Sequence, residues 1–282
     1  MTSKKDFSKA YKRGAIFSVY QPIIEIKSRN IWGYEALTRG RQQWRQPEDL
    51  FRYSYVSGHT IHLDFACLYS AVKVLSELPS KRLLFVNVEP VTVSQTFIRG
   101  REGEAFLRKI RPYSRQVVFE LTEGMKARDF KFVRRGVQFL RRAGCRFALD
   151  DVAGIGSKLL KLISLNPDFI KIDMGLIKGI STNRLNQKLV RQLIKLAERN
   201  DSVTIAEGVE DKADLDFVNA MGIHCAQGFY FARPQKKLLR TLPKKHREER
   251  ERISFLDPSF QKGHNDRHEF DPIPLHALRP PV

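Results

Sequence analysis

The sequence is poor in cysteine and histidine, with three cysteines and seven histidines in 282 residues. Cys67, Cys145 and Cys225 are widely spaced and form no CxxC pair, which argues against a zinc site, a redox pair or a disulfide framework. Four of the histidines lie beyond residue 245, and the others do not cluster like metal ligands. We therefore expect buried thiols in a reducing compartment and a cytoplasmic location.

Long apolar runs are also missing. No stretch approaches the roughly eighteen consecutive apolar residues that a membrane-spanning helix needs. Residues 1–13 are basic and polar and have no apolar core, so we expect no secretory signal. The hydrophobic fraction of 42% is enough for a large buried core, and 282 residues suit a single α/β barrel domain.

Acidic residues are outnumbered, since 50 Lys and Arg stand against 31 Asp and Glu and give a net charge of +19. A basic chain attracts nucleic acid, acidic lipid headgroups or small phosphorylated ligands. The basic residues are spread over 108–115, 134–142, 188–199 and 236–252, and a solvated basic surface explains them equally well. Charge alone identifies no partner, and we expect neither nucleic acid nor a membrane surface to be one.

Short runs of β-branched and aromatic residues alternate with longer amphipathic segments. The first two strand candidates, 17–26 and 31–37, are separated by a short polar stretch and predict an antiparallel hairpin. From Leu83 onward strands and helices alternate, which predicts parallel strands and closure into a TIM-like (β/α)8 barrel with an antiparallel first strand. The other strand candidates are 83–88, 116–121, 146–152, 169–173, 202–207 and 226–231, and the helix candidates are 63–78, 104–110, 130–143, 158–165, 186–200 and 213–221.

Six of these strands end in acidic or amide residues. One such residue could simply cap the next helix, but six consecutive endings are harder to explain in that way. In a parallel barrel all these ends lie on one face, where active sites form. Crowded carboxylates repel one another and need a cation, and oxygen ligands without Cys or His favour Mg²⁺ or Mn²⁺ over zinc. The residues are Glu35, Asn87, Glu120, Asp150 with Asp151, Asp173 and Glu207, accompanied by Lys171.

Residues 34–40, Tyr-Glu-Ala-Leu-Thr-Arg-Gly, begin a series of motifs that together resemble the EAL-domain family of cyclic di-GMP phosphodiesterases. The resemblance covers residues 16–236, which we take as the domain. Residues 1–15 are a polar lead-in, and 237–282 form a basic, proline-rich extension. The other matching motifs lie at 21–23, 63–64, 86–88, 120–123, 150–151, 171–173, 207–210, 227–229 and 233–234.

The resemblance implies a role for each matching residue. It implies two ions, Mg²⁺ or Mn²⁺, the first held by Glu35, Asn87, Glu120 and Asp150, and the second by Asp150, Asp151 and Asp173. Lys171 would contact the phosphate and the attacking water, and Glu207 would bind metal or accept a proton. Arg39 would grip a phosphate, Gln21 and Leu37 would line the guanine pocket, and Gln227 would orient its neighbours. Glu123 and Glu210 are similar to anchors of adjacent loops.

One segment departs from the family pattern. The resemblance predicts Phe-Gly-Thr-Gly-Tyr-Ser-Ser after the paired aspartates, where this chain has Val-Ala-Gly-Ile-Gly-Ser-Lys at residues 152–158. In the family this loop organises the second metal and the dimer interface. The change favours a weaker second ion.

Two functions from different classes follow from the resemblance. The first is an enzyme that linearises cyclic di-GMP to pGpG, which the retained metal ligands favour. The second is a non-catalytic receptor of the same messenger that acts through a regulatory protein partner, which the altered loop favours. A basic nucleic-acid-binding protein on a degenerate barrel is a weaker third hypothesis. A homodimer is a further expectation.

Overall fold

The computed structural model describes residues 15–41, 44, 47–97, 100–122, 130–243 and 246. Its eight strands close into a barrel in chain order. The first strand runs antiparallel to both of its neighbours and the other pairs are parallel, so the predicted fold class is confirmed. The strands are β1 Ile16–Glu25, β2 Ile31–Gly40, β3 Leu83–Asn87, β4 Val117–Thr122, β5 Arg146–Val152, β6 Phe169–Ile172, β7 Val203–Ala206 and β8 Cys225–Ala226.

Helices cover the outside of the barrel and connect its parallel strands. In the described part of the chain, 3-10 helices at Val72–Glu77 and Arg111–Gln116 supplement the α-helices. The α-helices are α1 Pro47–Ser57, α2 Thr60–Ala71, α3 Pro90–Gln95, α4 Arg101–Ile110, α5 Phe130–Arg142, α6 Ser157–Ile163, α7 Met174–Ile177, α8 Arg184–Arg199 and α9 Lys212–Ala220.

The eighth strand is where the strand prediction is wrong. Strand pairing stops at Ala226, and the predicted residues 227–231 turn back towards the loop after β7. The amides of Val209 and Tyr230 donate to the carbonyls of Gln227 and Val209, both at 3.0 Å. A Cβ on Gly228 would lie 2.0 Å from the Val209 carbonyl oxygen, so only glycine permits this approach. The aromatic run that suggested a strand serves this turn instead.

The interior of the barrel is apolar at its lower end, where the parallel strands begin. Trp32 packs there edge-on against Phe169, with ring centroids 5.4 Å apart. A second and larger apolar cluster lies between the strands and the helices. The buried residues of the lower interior cluster are Ile23, Leu83, Phe85, Val118, Ala148, Phe169, Ile205 and Cys225.

The segment after β8 packs against the barrel beyond residue 236. Gln235 pairs with Tyr20 through two backbone hydrogen bonds of 2.7 and 3.0 Å. The Tyr34 hydroxyl donates to the Leu239 carbonyl at 2.7 Å, and Leu238 and Leu242 are buried. The domain boundary at residue 236 stays a prediction, but the barrel core draws on residues beyond it.

Among the described residues, no helix is both long and apolar enough to span a bilayer. The three cysteines are buried and free, as the sequence predicts. Burial raises the pKa of the Cys67 and Cys145 thiols to about 12, which keeps them protonated and unreactive.

Candidate active site

The two-residue period of a β-strand builds the candidate site directly above the lower apolar layer. Side chains at alternate positions face the barrel interior, so each apolar residue of that layer is followed two positions later by another interior residue near the strand end. On six strands the residue two positions on, in or just after the strand, is polar. The pairs are Phe85 and Asn87, Val118 and Glu120, Ala148 and Asp150, Phe169 and Lys171, Ile205 and Glu207, and Cys225 and Gln227.

Lys171 lies at the centre of this polar layer. Its Nζ is 2.8 Å from Glu120 Oε1, from Asp150 Oδ1 and from Glu207 Oε1, and it is 3.3 Å from Glu35 Oε2. The lysine side chain is 1% exposed. The prediction that separate strand ends bring carboxylates and a lysine to one mouth is therefore correct for these five residues.

The charges in this layer do not balance. Burial raises the pKa of Glu120 and Glu207 well above the ordinary value, and carboxylate neighbours add to the rise. The pKa of Lys171 is also raised, because the four carboxylates outweigh the effect of burial, which alone would favour the neutral amine. Ionising all four buried carboxyls around one ammonium would leave excess negative charge, which bound protons or a further cation would relieve.

Glu35 is the best-supported anion of the layer. Gln227 Nε2 donates to its Oε2 at 2.6 Å, and Asn87 Nδ2 donates to its Oε1 at 3.2 Å. Burial favours the neutral acid, but Lys171 and these two amides outweigh it and lower the pKa of Glu35. Gln227 also donates to Gln21 Oε1 at 3.1 Å, so residues more than two hundred positions apart in the sequence meet here.

A β-bulge in β5 explains how two consecutive aspartates reach the same mouth. Strand alternation would send Asp150 and Asp151 to opposite faces, but the pairing register with β6 shifts between Leu149 and Val152. Asp151 takes a positive φ of 54°, which is an uncommon conformation for a non-glycine residue. Burial and neighbouring Asp150 raise the pKa of Asp151 to about 6. Asp150, Asp151 and Glu207 each place a carboxylate oxygen within 4.8 Å of the others.

The donor set fits a hard divalent cation. Both carboxylate oxygens of Glu120 and Oδ1 of Asp150 are buried without a hydrogen-bond partner in the described part of the chain. Lys171 Nζ pairs with two of these oxygens, Glu120 Oε1 and Asp150 Oδ1, at 2.8 Å, whereas Glu120 Oε2 has no such partner among the described residues, so these carboxylates retain acceptor capacity for a cation. Buried oxygens of this kind are costly unless they are coordinated, and carboxylate and amide oxygens suit Mg²⁺ or Mn²⁺.

Asp173 differs from the other predicted metal ligands. Its Oδ1 accepts from the Gly175 amide at 2.8 Å, so it is the N-cap of α7. It is half-buried at the mouth and lies close enough to contribute to the raised pKa of Asp151. Gly156 and Asp211, rather than Asp150, Asp151 or Glu207, occupy the caps of α6 and α9.

The remaining predicted residues lie at the edge of the mouth. Leu37 and Arg39 are half-buried near the end of β2, and the guanidinium of Arg39 donates to the Thr38 carbonyl at 2.7 Å. Glu210 is exposed and pairs with Lys178 Nζ at 2.8 Å, which joins the loop after β7 to the segment after α7. Glu123 lies outside the described residues.

Sequence analysis assigned no role to a small polar cluster beside Asn87. The buried carboxylate of Asp64 on α2 accepts from the Glu89 amide at 3.0 Å, and the Tyr55 hydroxyl donates to the Glu89 side chain. Burial raises the pKa of Asp64 to about 7. This cluster fixes the loop that follows Asn87. The sequence contained one signal for this cluster, because Asp64 is an acidic residue among the apolar residues of α2.

Known cyclic di-GMP phosphodiesterases are similar to this chain in sequence. The probable cyclic di-GMP phosphodiesterase PdeN of Escherichia coli K12 is 25% identical over 248 residues, which cover 83% of this chain and 46% of PdeN. The cyclic di-GMP phosphodiesterase PdeF of the same organism is 26% identical over 233 residues, with 80% and 31% covered. This chain thus spans less than half the length of either relative.

Solved structures share the fold. A standalone EAL protein from Vibrio cholerae O395, solved in its c-di-GMP bound form, superposes with a TM-score of 0.70 and 25% identity, covering 82% of this chain and 97% of that one. The EAL domain matches this sequence over residues 4–234, which is most of the chain. The chain therefore belongs to the EAL domain family.

Proposed function

We propose that the barrel mouth hydrolyses cyclic di-GMP to linear pGpG in a reaction that depends on divalent metal. The observation that carries this proposal is the polar layer itself, in which Lys171 lies among four carboxylates and buried acceptor oxygens remain unused. The proposal is supported by relatives named as cyclic di-GMP phosphodiesterases and by the V. cholerae EAL protein, which was solved with c-di-GMP bound.

The proposed metal ligands are those implied by the family resemblance. Glu35, Asn87, Glu120 and Asp150 would hold one ion, and Asp151 and Asp173 would hold a second with Asp150 bridging. Two Mg²⁺ or Mn²⁺ ions would lower the pKa of a bound water towards neutrality and screen the charge of the phosphodiester. The β5 bulge supports this assignment because it gives both aspartates access to one mouth.

Lys171 and Glu207 are the proposed catalytic residues. The raised pKa of Lys171 keeps its ammonium charged, and its Nζ is oriented towards the mouth by contacts on four sides. Such a fixed point charge stabilises negative charge on a phosphate. Glu207 has 16% of its side chain exposed, against 0–8% for the other three carboxylates. Because it is the most accessible to water, it is best suited to accept a proton.

Substrate recognition is proposed for residues around the rim. Arg39 offers a planar guanidinium that suits a phosphate, Leu37 lies two residues before it on β2, and Gln21 lies opposite Glu35 on β1. Gln227 holds Gln21 and Glu35 in one hydrogen-bonded group, which would align the base pocket with the metal ligands. A homodimer, a regulatory protein partner and a cytoplasmic location remain predictions.

A receptor that binds the same messenger without hydrolysing it is the second candidate. The altered sequence at residues 152–158 is the reason to consider it, and neither Gly154 nor Gly156 takes a positive φ there. The loop is largely exposed and begins at the bulge that presents Asp151. It is therefore free to differ in structure from the family loop, at the point where the second ion would be held.

Product analysis separates the two candidates. The purified chain is incubated with cyclic di-GMP and Mg²⁺ or Mn²⁺, with an EDTA-treated sample as control, and the nucleotides are resolved chromatographically. The enzyme predicts metal-dependent pGpG, whereas the receptor predicts bound but intact cyclic di-GMP. Failure both to bind and to hydrolyse the dinucleotide would refute the proposed function.

A further inference from the structure

Three helices on the outside of the barrel carry almost only positive charge. Helices α5, α6 and α8 follow β4, β5 and β6, so they lie side by side on one flank. Together they hold twelve Lys and Arg and one acidic residue, Glu198. We call the outer surface of these three helices the basic flank.

The basic flank is a local feature and not an average property of the barrel surface. Helix α1 carries Glu48 and Asp49 beside Arg52, and α9 carries Asp214 and Asp216 beside Lys212. The net charge of +19 is therefore distributed unevenly around the described helices. Sequence analysis treated the basic segments as dispersed, because they are distant in the chain, but the fold places two of them, 134–142 and 188–199, on either side of α6.

Helix α5 is the most basic of the three. It contains no acidic residue, and its apolar side, with Val133 and Val137, is buried against the barrel. The outward side leaves most of these cations exposed, and Arg141 forms an ion pair with Asp168 at 3.2 Å. The basic residues of α5 are Lys131, Arg134, Arg135, Arg141 and Arg142.

Large apolar side chains project from the same flank between the cations. Phe132 on α5 is 50% exposed, Leu160 on α6 is 53% exposed, and Leu185 at the start of α8 is 65% exposed. Each therefore lies on one of the three basic helices. Single exposed apolar residues are common on protein surfaces, but here one occurs on each of the three basic helices, so cationic and large apolar side chains occur together on these helices.

We propose that the basic flank binds an anionic membrane surface. Arg and Lys attract acidic lipid headgroups, while Phe132, Leu160 and Leu185 can insert among the headgroups and upper acyl chains. Nucleic acid would use the same cations, but exposed leucines offer it neither hydrogen bonds nor a stacking surface. Two basic flanks placed face to face would repel each other, but α6 begins at the loop where the family resemblance predicts a dimer contact, so a second copy is kept as an outcome of the test. This inference concerns a surface outside the barrel mouth and does not rest on the proposed function.

Vesicle flotation with three matched variants tests this proposal. The 282-residue chain is mixed with vesicles of phosphatidylcholine alone or with added phosphatidylglycerol at physiological ionic strength. R134E/R135E reverses two charges on the flank, and K73E/K81E reverses two exposed charges near β3 as its control. F132S/L185S removes two apolar side chains and leaves the net charge unchanged. Thermal melts of the variants establish that each is folded.

The unaltered chain should float only with the anionic vesicles, and added salt should weaken this binding. R134E/R135E should weaken partitioning on the order of 100-fold, whereas K73E/K81E should change it little. F132S/L185S should weaken it roughly 10-fold, through lost apolar burial.

Four outcomes would overturn the proposal. The first is that the unaltered chain fails to float with anionic vesicles. The second is that K73E/K81E loses as much binding as R134E/R135E, which would mean that bulk charge alone drives binding. The third is that a DNA duplex binds more tightly than the vesicles and F132S/L185S has no effect on this binding, which would assign the flank to nucleic acid. The fourth is that F132S/L185S dissociates a dimer in sedimentation, which would assign the flank to a second copy.

Discussion

The lower and upper layers of the barrel interior belong to the same strands but differ in their physical character. The lower layer is apolar and close-packed, with Phe85, Val118 and Phe169 wholly buried. The upper layer lies two residues further along most of these strands and, with Glu35 from β2, collects four carboxylates around Lys171. One layer stabilises the fold through apolar burial, and the other carries desolvation and carboxylate repulsion that bound protons or a bound cation would relieve. Residues that stabilise the fold and residues of the candidate site therefore lie only two positions apart on most of these strands.

The largest change in stability is expected from the lower layer. Phe169→Ala should lower the free energy of unfolding by about 3–5 kcal/mol, because it leaves a cavity beside Trp32 and Phe85 where collapse is restricted. Denaturant unfolding of the metal-free protein measures this loss. A loss under about 1 kcal/mol would mean that the lower layer is not a close-packed core.

The upper layer should respond in the opposite way. Glu35→Ala should abolish hydrolysis, because it removes a proposed metal ligand, yet it should lower the unfolding free energy far less than Phe169→Ala does. The hydrogen bonds lost from Gln227 and Asn87 are offset by reduced carboxylate repulsion. Glu77→Ala, on the exposed side of a 3-10 helix, is the matched control. Hydrolysis that persists in Glu35→Ala at saturating Mn²⁺ would contradict the assignment.

A buried carboxylate away from Lys171 sharpens the comparison. Burial raises the pKa of Asp64 to about 7 from 3.8, so the folded state holds its proton more tightly than the unfolded state does. This contribution to stability is present at low pH and is lost as the pH rises from about 4 to about 7. Asp64→Asn should flatten that decline and stabilise the metal-free protein at pH 8 by up to about 4 kcal/mol. Melts across this pH range that are parallel for both proteins would refute the pKa shift.

Metal identity should affect turnover more than binding. Ca²⁺ should support binding of cyclic di-GMP yet inhibit hydrolysis, because its larger and looser coordination sphere holds water and phosphate in poorer register than Mg²⁺ does. Calorimetry measures the first effect and product chromatography the second. Equal rates with Ca²⁺ and Mg²⁺ would argue against a reaction that depends on tight two-ion geometry.

The smallest effect is expected from the altered loop. Replacing residues 152–158 by Phe-Gly-Thr-Gly-Tyr-Ser-Ser should raise turnover at low metal if the native loop weakens the second ion. The concentration of metal needed for turnover, compared with that needed for binding, reports this change. No rise, or a loss, would show that the native loop is already competent, and the receptor alternative would lose its main support.

Most of the fold and much of the candidate site could be predicted from the sequence. Strand periodicity identified the barrel, and the polar strand endings identified Glu35, Glu120, Asp150, Lys171 and Glu207 as neighbours. These predictions succeeded because interior positions in a strand recur every two residues.

Other features depended on tertiary contacts. The turn at residues 227–231 requires Gly228 to approach Val209, which no local pattern indicates. The β5 bulge could not be predicted either, because register is a property of two strands and not of one. The basic flank was divided among segments distant in the chain, so only the fold could join them.

The central claim is that the unused oxygens of the upper layer hold divalent metal, and a thermal-unfolding titration with Mn²⁺ tests it most directly. Asp150 is the proposed bridging ligand, so Asp150→Asn keeps the shape of the side chain but removes its charge. The account predicts that Mn²⁺ raises the melting temperature of the unaltered chain in a concentration-dependent way, and that Asp150→Asn largely loses this response. An equal rise in both proteins, or no rise in the unaltered chain, would contradict it.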